Sequence, residues 1–168
     1  MKTRNRFSDM HLQSHTGKPY FTLAEANRAL VLVKRIIGDV VAEYACLLEL
    51  LEMIEAAESP PDSAAEGVAR PTSEADEYLD RAQEQLARTS RTLRTCLDEL
   101  DDVGVELTDW SSGSVVFPSV VGGREVDLCW QHGEPRILYW QEAHRPGKRR
   151  RPIEALLAEM ATADAAAK

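Results

Sequence analysis

Between Ala26 and Ile54, apolar side chains recur at alternating spacings of four and three: Ala26, Leu30, Val33, Ile37, Val40, Tyr44, Leu47, Leu51 and Ile54, with no proline among them. This heptad pattern predicts one helix over residues 21–58, roughly 50 Å long at 1.5 Å per residue. Thr22-Leu23-Ala24-Glu25 reads as its capping box, with Phe21 placed as half of a hydrophobic staple. Gly38 is the one weak helix former inside the run. A loop is expected over 59–73, where Pro60, Pro61 and Pro71 forbid helix. A second seam, Leu79, Ala82, Leu86, Thr89, Leu93, Cys96, Leu100 and Val103, predicts a helix over 74–103 that Gly104 ends. Two long helices joined by a loop return antiparallel, seam against seam.

The first helix is apolar beyond its seam. Val31, Leu32, Ile36, Val41, Leu48, Leu50 and Met53 lie off it, more than one partner helix can cover. Either a sheet or a second copy of the chain must cover the excess, the latter giving a homodimer. Leu32, Ile36, Val41 and Leu48 are the candidate partner-binding contacts.

After Gly104 the period changes to two. Residues 114–121 read as a strand, with Pro118 marking an edge or a bulge, and Gly122-Gly123 as a hairpin turn. Residues 124–130 alternate, placing Val126, Leu128 and Trp130 on one face and Glu125, Asp127 and Cys129 on the other. A turn through His132, Gly133 and Glu134 leads to a third strand over 136–142. The fold class is therefore α+β: a long antiparallel helical hairpin, a small three-stranded antiparallel meander over 114–142, and a short C-terminal helix. The expected organisation is a disordered basic tail over 1–19, a single domain over 20–144, and a basic segment with a short amphipathic helix over 145–168.

Charge divides along the same lines. The net −8 conceals a body over 22–144 with ten basic and 24 acidic side chains, flanked by ends of +3 each. Arg145, Lys148, Arg149, Arg150 and Arg151 form a basic patch that could reach phosphates, but no aromatics interleave with it and the acidic body opposes nucleic acid. No apolar run is long enough for a membrane span. Three scattered cysteines and no signal-like apolar stretch point to the cytoplasm.

Several blocks stand out together: Tyr20-Phe21-Thr22 with Glu25-Ala26-Asn27-Arg28, Val116-Phe117-Pro118, Leu128-Cys129-Trp130 with Gly133-Glu134-Pro135 and Ile137, and Tyr139-Trp140. In these the chain resembles a family of small bacterial proteins of uncharacterised function, over residues 20 to about 152. The resemblance implies a helical hairpin followed by a short sheet and brings no activity with it. In that family a histidine commonly follows the Tyr-Trp pair; here the position is Gln141.

The chemical candidates gather in the same block. Cys129, His132 and His144, with Glu134 nearby, are the metal-ligating types present, but one cysteine and two histidines on separate elements do not make a closed site. Glu134 is the one candidate general acid or base, beside Trp130 or Trp140; a salt bridge to Arg136 or Arg124, or a loop cap, is the preferred account of it. Carboxylates flanking Cys129 argue against a reactive thiolate. Cys129, Trp130, Glu134 and Trp140 together form the candidate ligand-binding set, against the alternative that the aromatics are core. Asn27 and Arg28 could meet an anion or the sheet's turn. No motif demands a cofactor. The expected function is a non-catalytic interaction or assembly module using the hairpin surface. The alternative is a small enzyme, or a ligand- or metal-binding protein, built on the Cys129–Glu134 block.

Overall fold

The structure, a computed structural model, describes residues 17–58, 72–143 and 149–166. Helix α1 (Leu23–Glu58) begins at the capping box. The Thr22 N–H donates to Glu25 Oε2 at 2.9 Å, and the Glu25 N–H donates to Thr22 Oγ1 at 3.2 Å, so two orphan donors of the first turn are satisfied. Phe21 staples the helix to the sheet, its ring edge-on to Phe117 with centroids 5.3 Å apart. Helix α2 (Thr72–Val103) ends in a Schellman motif. Gly104, at φ 89°, donates to the Asp101 carbonyl at 2.9 Å, and the Val105 N–H reaches the Leu100 carbonyl at 2.9 Å.

Five antiparallel strands follow where three were expected: β1 (Glu106–Asp109), β2 (Ser114–Val121), β3 (Arg124–Gln131), β4 (Tyr139–Glu142) and β5 (Arg151–Pro152), paired in sequence order. The two additional strands are short, and pairing rather than composition makes them. β1 brings one inward apolar residue, Leu107, to Val115, and β5 sets Pro152 and Arg151 against Tyr139 and Trp140. The expected third strand starts late because residues 136–138 are held elsewhere. The Ile137 N–H donates to Asn27 Oδ1 on α1 at 3.0 Å, and the Leu138 carbonyl accepts from the Ile153 N–H at 2.9 Å. Asn27 thus serves the turn.

Pro118 lies in the middle of β2 without interrupting it. β1 pairs with β2 only as far as Val116, so the ladder needs no donor from residue 118 on that side. The Pro118 carbonyl there accepts the Phe21 N–H at 2.7 Å.

Helix α3 (Ile153–Ala166) follows β5 and places Ile153 and Leu156 in the same core as the hairpin and the sheet. That core joins Ala26, Leu30, Val33, Ile36, Ile37 and Val40 of α1, Leu93, Cys96 and Leu100 of α2, and Phe117, Leu128, Trp130 and Trp140 of the sheet. The inner face of the meander carries the even-numbered residues of β3, as the alternation requires. The heptad seam of α1 holds through Val40 and then shifts: Leu50 is buried, whereas Leu51 is 45% exposed. Past Tyr44, whose ring meets Trp110, the sheet side no longer covers α1 and the buried line turns toward α2, which takes in Leu50 and leaves Leu51 outside.

Candidate functional site

The Gly-Glu-Pro turn is the most densely bonded polar feature described. β3 ends at Gln131, and the Glu134 N–H donates back to the Gln131 carbonyl at 3.0 Å across a turn that Gly133 completes at φ 96°. The Glu134 carboxylate accepts from the Gln131 N–H at 2.9 Å and takes Arg150 Nη2 on both oxygens at 2.8 Å. Arg150 Nη1 also donates to Gln131 Oε1 at 3.2 Å, and the guanidinium lies 4.4 Å from the centroid of the Tyr139 ring. The Glu134 carbonyl meanwhile accepts the Trp130 indole N–H at 2.9 Å. Glu134 therefore caps its loop as expected, but its ion pair is with Arg150. Arg124 pairs instead with Glu159 at 2.9 Å, and Arg136 stands in solvent. Both carboxylate oxygens are occupied by donors, an arrangement suited to tying the C-terminal segment to the sheet.

Cys129 lies on the outer face of β3, paired across to Val116 and Tyr139 and only 4% exposed. Burial pushes its thiol up to about 12; Arg150 opposes the shift, while Asp127 and Glu134 add to it. A thiol so placed is a core group and a poor nucleophile. Trp130 and Trp140 occupy the inner face at 1% and 0% exposure. The guanidiniums of Arg151 and Arg124 stand 4.7 and 5.4 Å from the Trp140 ring, and both also bind Glu159. The four candidate ligand residues are thus near in sequence but divided between two faces and a turn. Strand alternation separates Cys129 from the two tryptophans, so the aromatics serve as core.

The same alternation parts Cys129 from His132, whose ring sits edge-on to inward-facing Trp130 at 6.2 Å and packs toward α1, with Cε1 3.8 Å from a Cβ placed on Gly38. His144 lies outside the described residues. Among the described residues no group of three or more His, Cys, Asp or Glu side chains is placed to hold a metal. Of the basic patch, Arg145 and Lys148 also lie outside them, and Arg149 is exposed. Arg150 and Arg151 are engaged within the chain by Glu134 and Glu159. Nothing in the residue spacing foretold these pairs, because their partners lie 16 and 8 residues away on other elements.

The partner-binding candidates divide in two. Leu32 and Leu48 are exposed at 41% and 44%, whereas Ile36 is buried at 1% and Val41 is half-buried against the β1–β2 turn. Ile36 and Val41 are corrected to core and turn-packing roles, because α1 is covered on two sides, by α2 and by the sheet. Beyond this region, a groove of about 340 Å³ opens beside β1, lined by Leu97, Leu107 and Trp110. Lys18 crosses its rim to Asp101 at 3.0 Å.

A long helical hairpin packed on a five-stranded meander, with the Glu134–Arg150 ion pair locking the C-terminal segment to the sheet, defines a class of small α+β proteins. Residues 19–153 match the family model DUF2203, an uncharacterised conserved protein, and the chain belongs to that family. No curated protein and no solved structure matches the chain. No described helix is long and apolar enough to cross a membrane.

Proposed function

We propose that the protein is a non-catalytic assembly module whose recognition surface is the bare side of α1. One observation carries this reading. Of the eight large hydrophobic side chains exposed among the described residues, five lie on α1: Val31, Leu32, Leu48, Leu51 and Met53. The sheet reaches α1 as far as Tyr44, whose ring meets Trp110 at 5.7 Å; past it Leu48 and Leu51 turn outward. At 100° per residue Val31 and Met53 lie within 40° of each other on the side turned away from the core, and exposed apolar side chains sharing one helix face mark a helix-face contact. The Cys129–Glu134 block supports the same reading from the other side, since its side chains are spent on packing and on each other.

Photo-crosslinking in the source cell tests the proposal. A benzophenone side chain at Val31 or Met53 is expected to give a discrete protein adduct, its own chain or another. The same probe at Val120, on the sheet, serves as the control. Adducts equal at all three positions, or absent from α1, refute it.

A further inference from the structure

We infer that the partner on α1 is a second copy of this chain, lying antiparallel with the two-fold axis beside Ala42. The inference rests on the assembly reading above and names its partner and register. Helix α1 is covered on two sides. The α2 side carries Cys46, whose sulfur lies 4.0 Å from Thr89 Oγ1, and the side facing the β1–β2 turn carries Ile37, Val41 and Tyr44. At 100° per residue Val31, Arg35, Ala42, Glu49 and Met53 fall within 40° of one another, on a stripe turned away from core-facing Val33, Ile37 and Val40. All five are exposed, Val31 at 82% and Met53 at 41%.

The order of residues along that stripe is its own complement. Seven positions before Ala42 is Arg35, and seven after it is Glu49; eleven before is Val31, and eleven after is Met53. An antiparallel copy centred on Ala42 therefore sets Arg35 against Glu49 of the second copy, about 10 Å from the axis. Val31 then meets Met53 of the second copy about 17 Å from the axis. Each contact occurs twice, as an isologous two-fold demands. A parallel copy in register would set arginine on arginine and glutamate on glutamate, so charge selects the direction. Ala42, the smallest side chain in the stripe, sits where the helices cross and leaves room for an interaxial distance of 8–10 Å, which is about the usual packing range. An unrelated partner would need a matching pattern, whereas this chain already carries it.

Sedimentation of the full chain, wild type and charge variants, tests the inference. The wild type is expected to sediment as a dimer of 18.7 kDa chains. R35E alone and E49R alone should each weaken the dimer by about tenfold or more in Kd, and the double variant should recover most of that loss. Both sites are exposed, and far-UV circular dichroism checks that the variants fold. A dimer unmoved by both single variants overturns the register. A wild type monomeric up to about 100 µM overturns the second copy, because an interface that weak binds with less than about 5.5 kcal/mol. If the photo-probes on α1 then capture a different protein, the assembly reading survives without the second copy; if they capture nothing, both fail.

Discussion

Two glycines on facing sides of one contact should respond in opposite directions to the same change. Gly38 lies inside α1, and a Cβ there would meet only His132 Cε1 at 3.8 Å, an ordinary van der Waals distance. Gly38→Ala thus keeps the packing and gains helix propensity of about 0.8–1 kcal/mol. For a chain of this length, that is roughly 2–4 °C in Tm. Gly113, in the β1–β2 turn, has φ 61°, and a Cβ there would stand 2.6 Å from Ile37 Cγ2, 2.8 Å from Val41 Cγ2 and 2.9 Å from His132 Cβ. The left-handed backbone costs an alanine about 1 kcal/mol, and overpacking costs about 1–3 kcal/mol more, so Gly113→Ala should lose roughly 2–4 kcal/mol. Urea unfolding at one fixed protein concentration reads both variants as shifts in midpoint at constant slope. A Gly113→Ala protein as stable as wild type would show that the turn does not bear on α1. A destabilised Gly38→Ala would show that His132 presses closer on the helix than 3.8 Å.

The remaining predictions concern the polar groups. Cys129 in the native protein should react with a thiol reagent near neutral pH at least about a thousandfold more slowly than in the unfolded chain, because a pKa raised from 9.0 to about 12 removes that much thiolate before burial is counted. Labelling followed by peptide mapping checks this, and fast native labelling refutes it. A double-mutant cycle of Glu134→Gln and Arg150→Met should give a coupling of about 1–2 kcal/mol, above that of a solvent-exposed pair, since the side chains are only 21% and 32% exposed and the contact is charge-assisted. Additive losses would show that the two residues do not act together. The Glu159 carboxyl is held below its ordinary 4.5 chiefly by the hydrogen bond from Arg124, with Arg151 adding to it, and that of Asp109 below 3.8 by the Ser112 N–H and the Ser111 hydroxyl. The unfolded chain then binds more protons, so this stabilisation is present above the unfolded values and is lost as pH falls below about 4.5 and through the lower folded values. Urea midpoints measured down the acid limb should fall less steeply in Glu159→Gln than in wild type, and an identical slope refutes the assignment.

Local chemistry was legible in the sequence, and distant pairing was not. The capping box at Thr22 and Glu25 and the stop at Gly104 depend on residues within one turn of each other, and both form as their spacing implies. The inward set Val126, Leu128 and Trp130 follows from the pleat alone. β1 and β5 could not be read, because Glu-Leu-Thr-Asp and Arg-Pro become strands only through the neighbours they pair with. Glu134 shows the same limit at the candidate site. The sequence offered Arg136 two residues away, whereas folding supplies Arg150 from the strand-like C-terminal segment.

The placement of Arg150 also changes what the basic C-terminal cluster can do. A run of like charges reads as a solvated tether when each charge is free. Here two consecutive members are drawn to opposite sides of the sheet edge. Arg150 spans Tyr139, Gln131 and Glu134 on the outer face, while Arg151 lies over Trp140 and reaches Glu159 of α3. Arg151 is fixed opposite Trp140 by the β4–β5 pairing, and Arg150, the residue just before β5, points to the other face. The cluster thereby clamps β4 from both faces and delivers Ile153 and Leu156 to the core. With the sheet sealed at this edge and its inner face filled, the recognition proposed above falls, among the described residues, to the stripe of α1 turned away from α2 and the sheet.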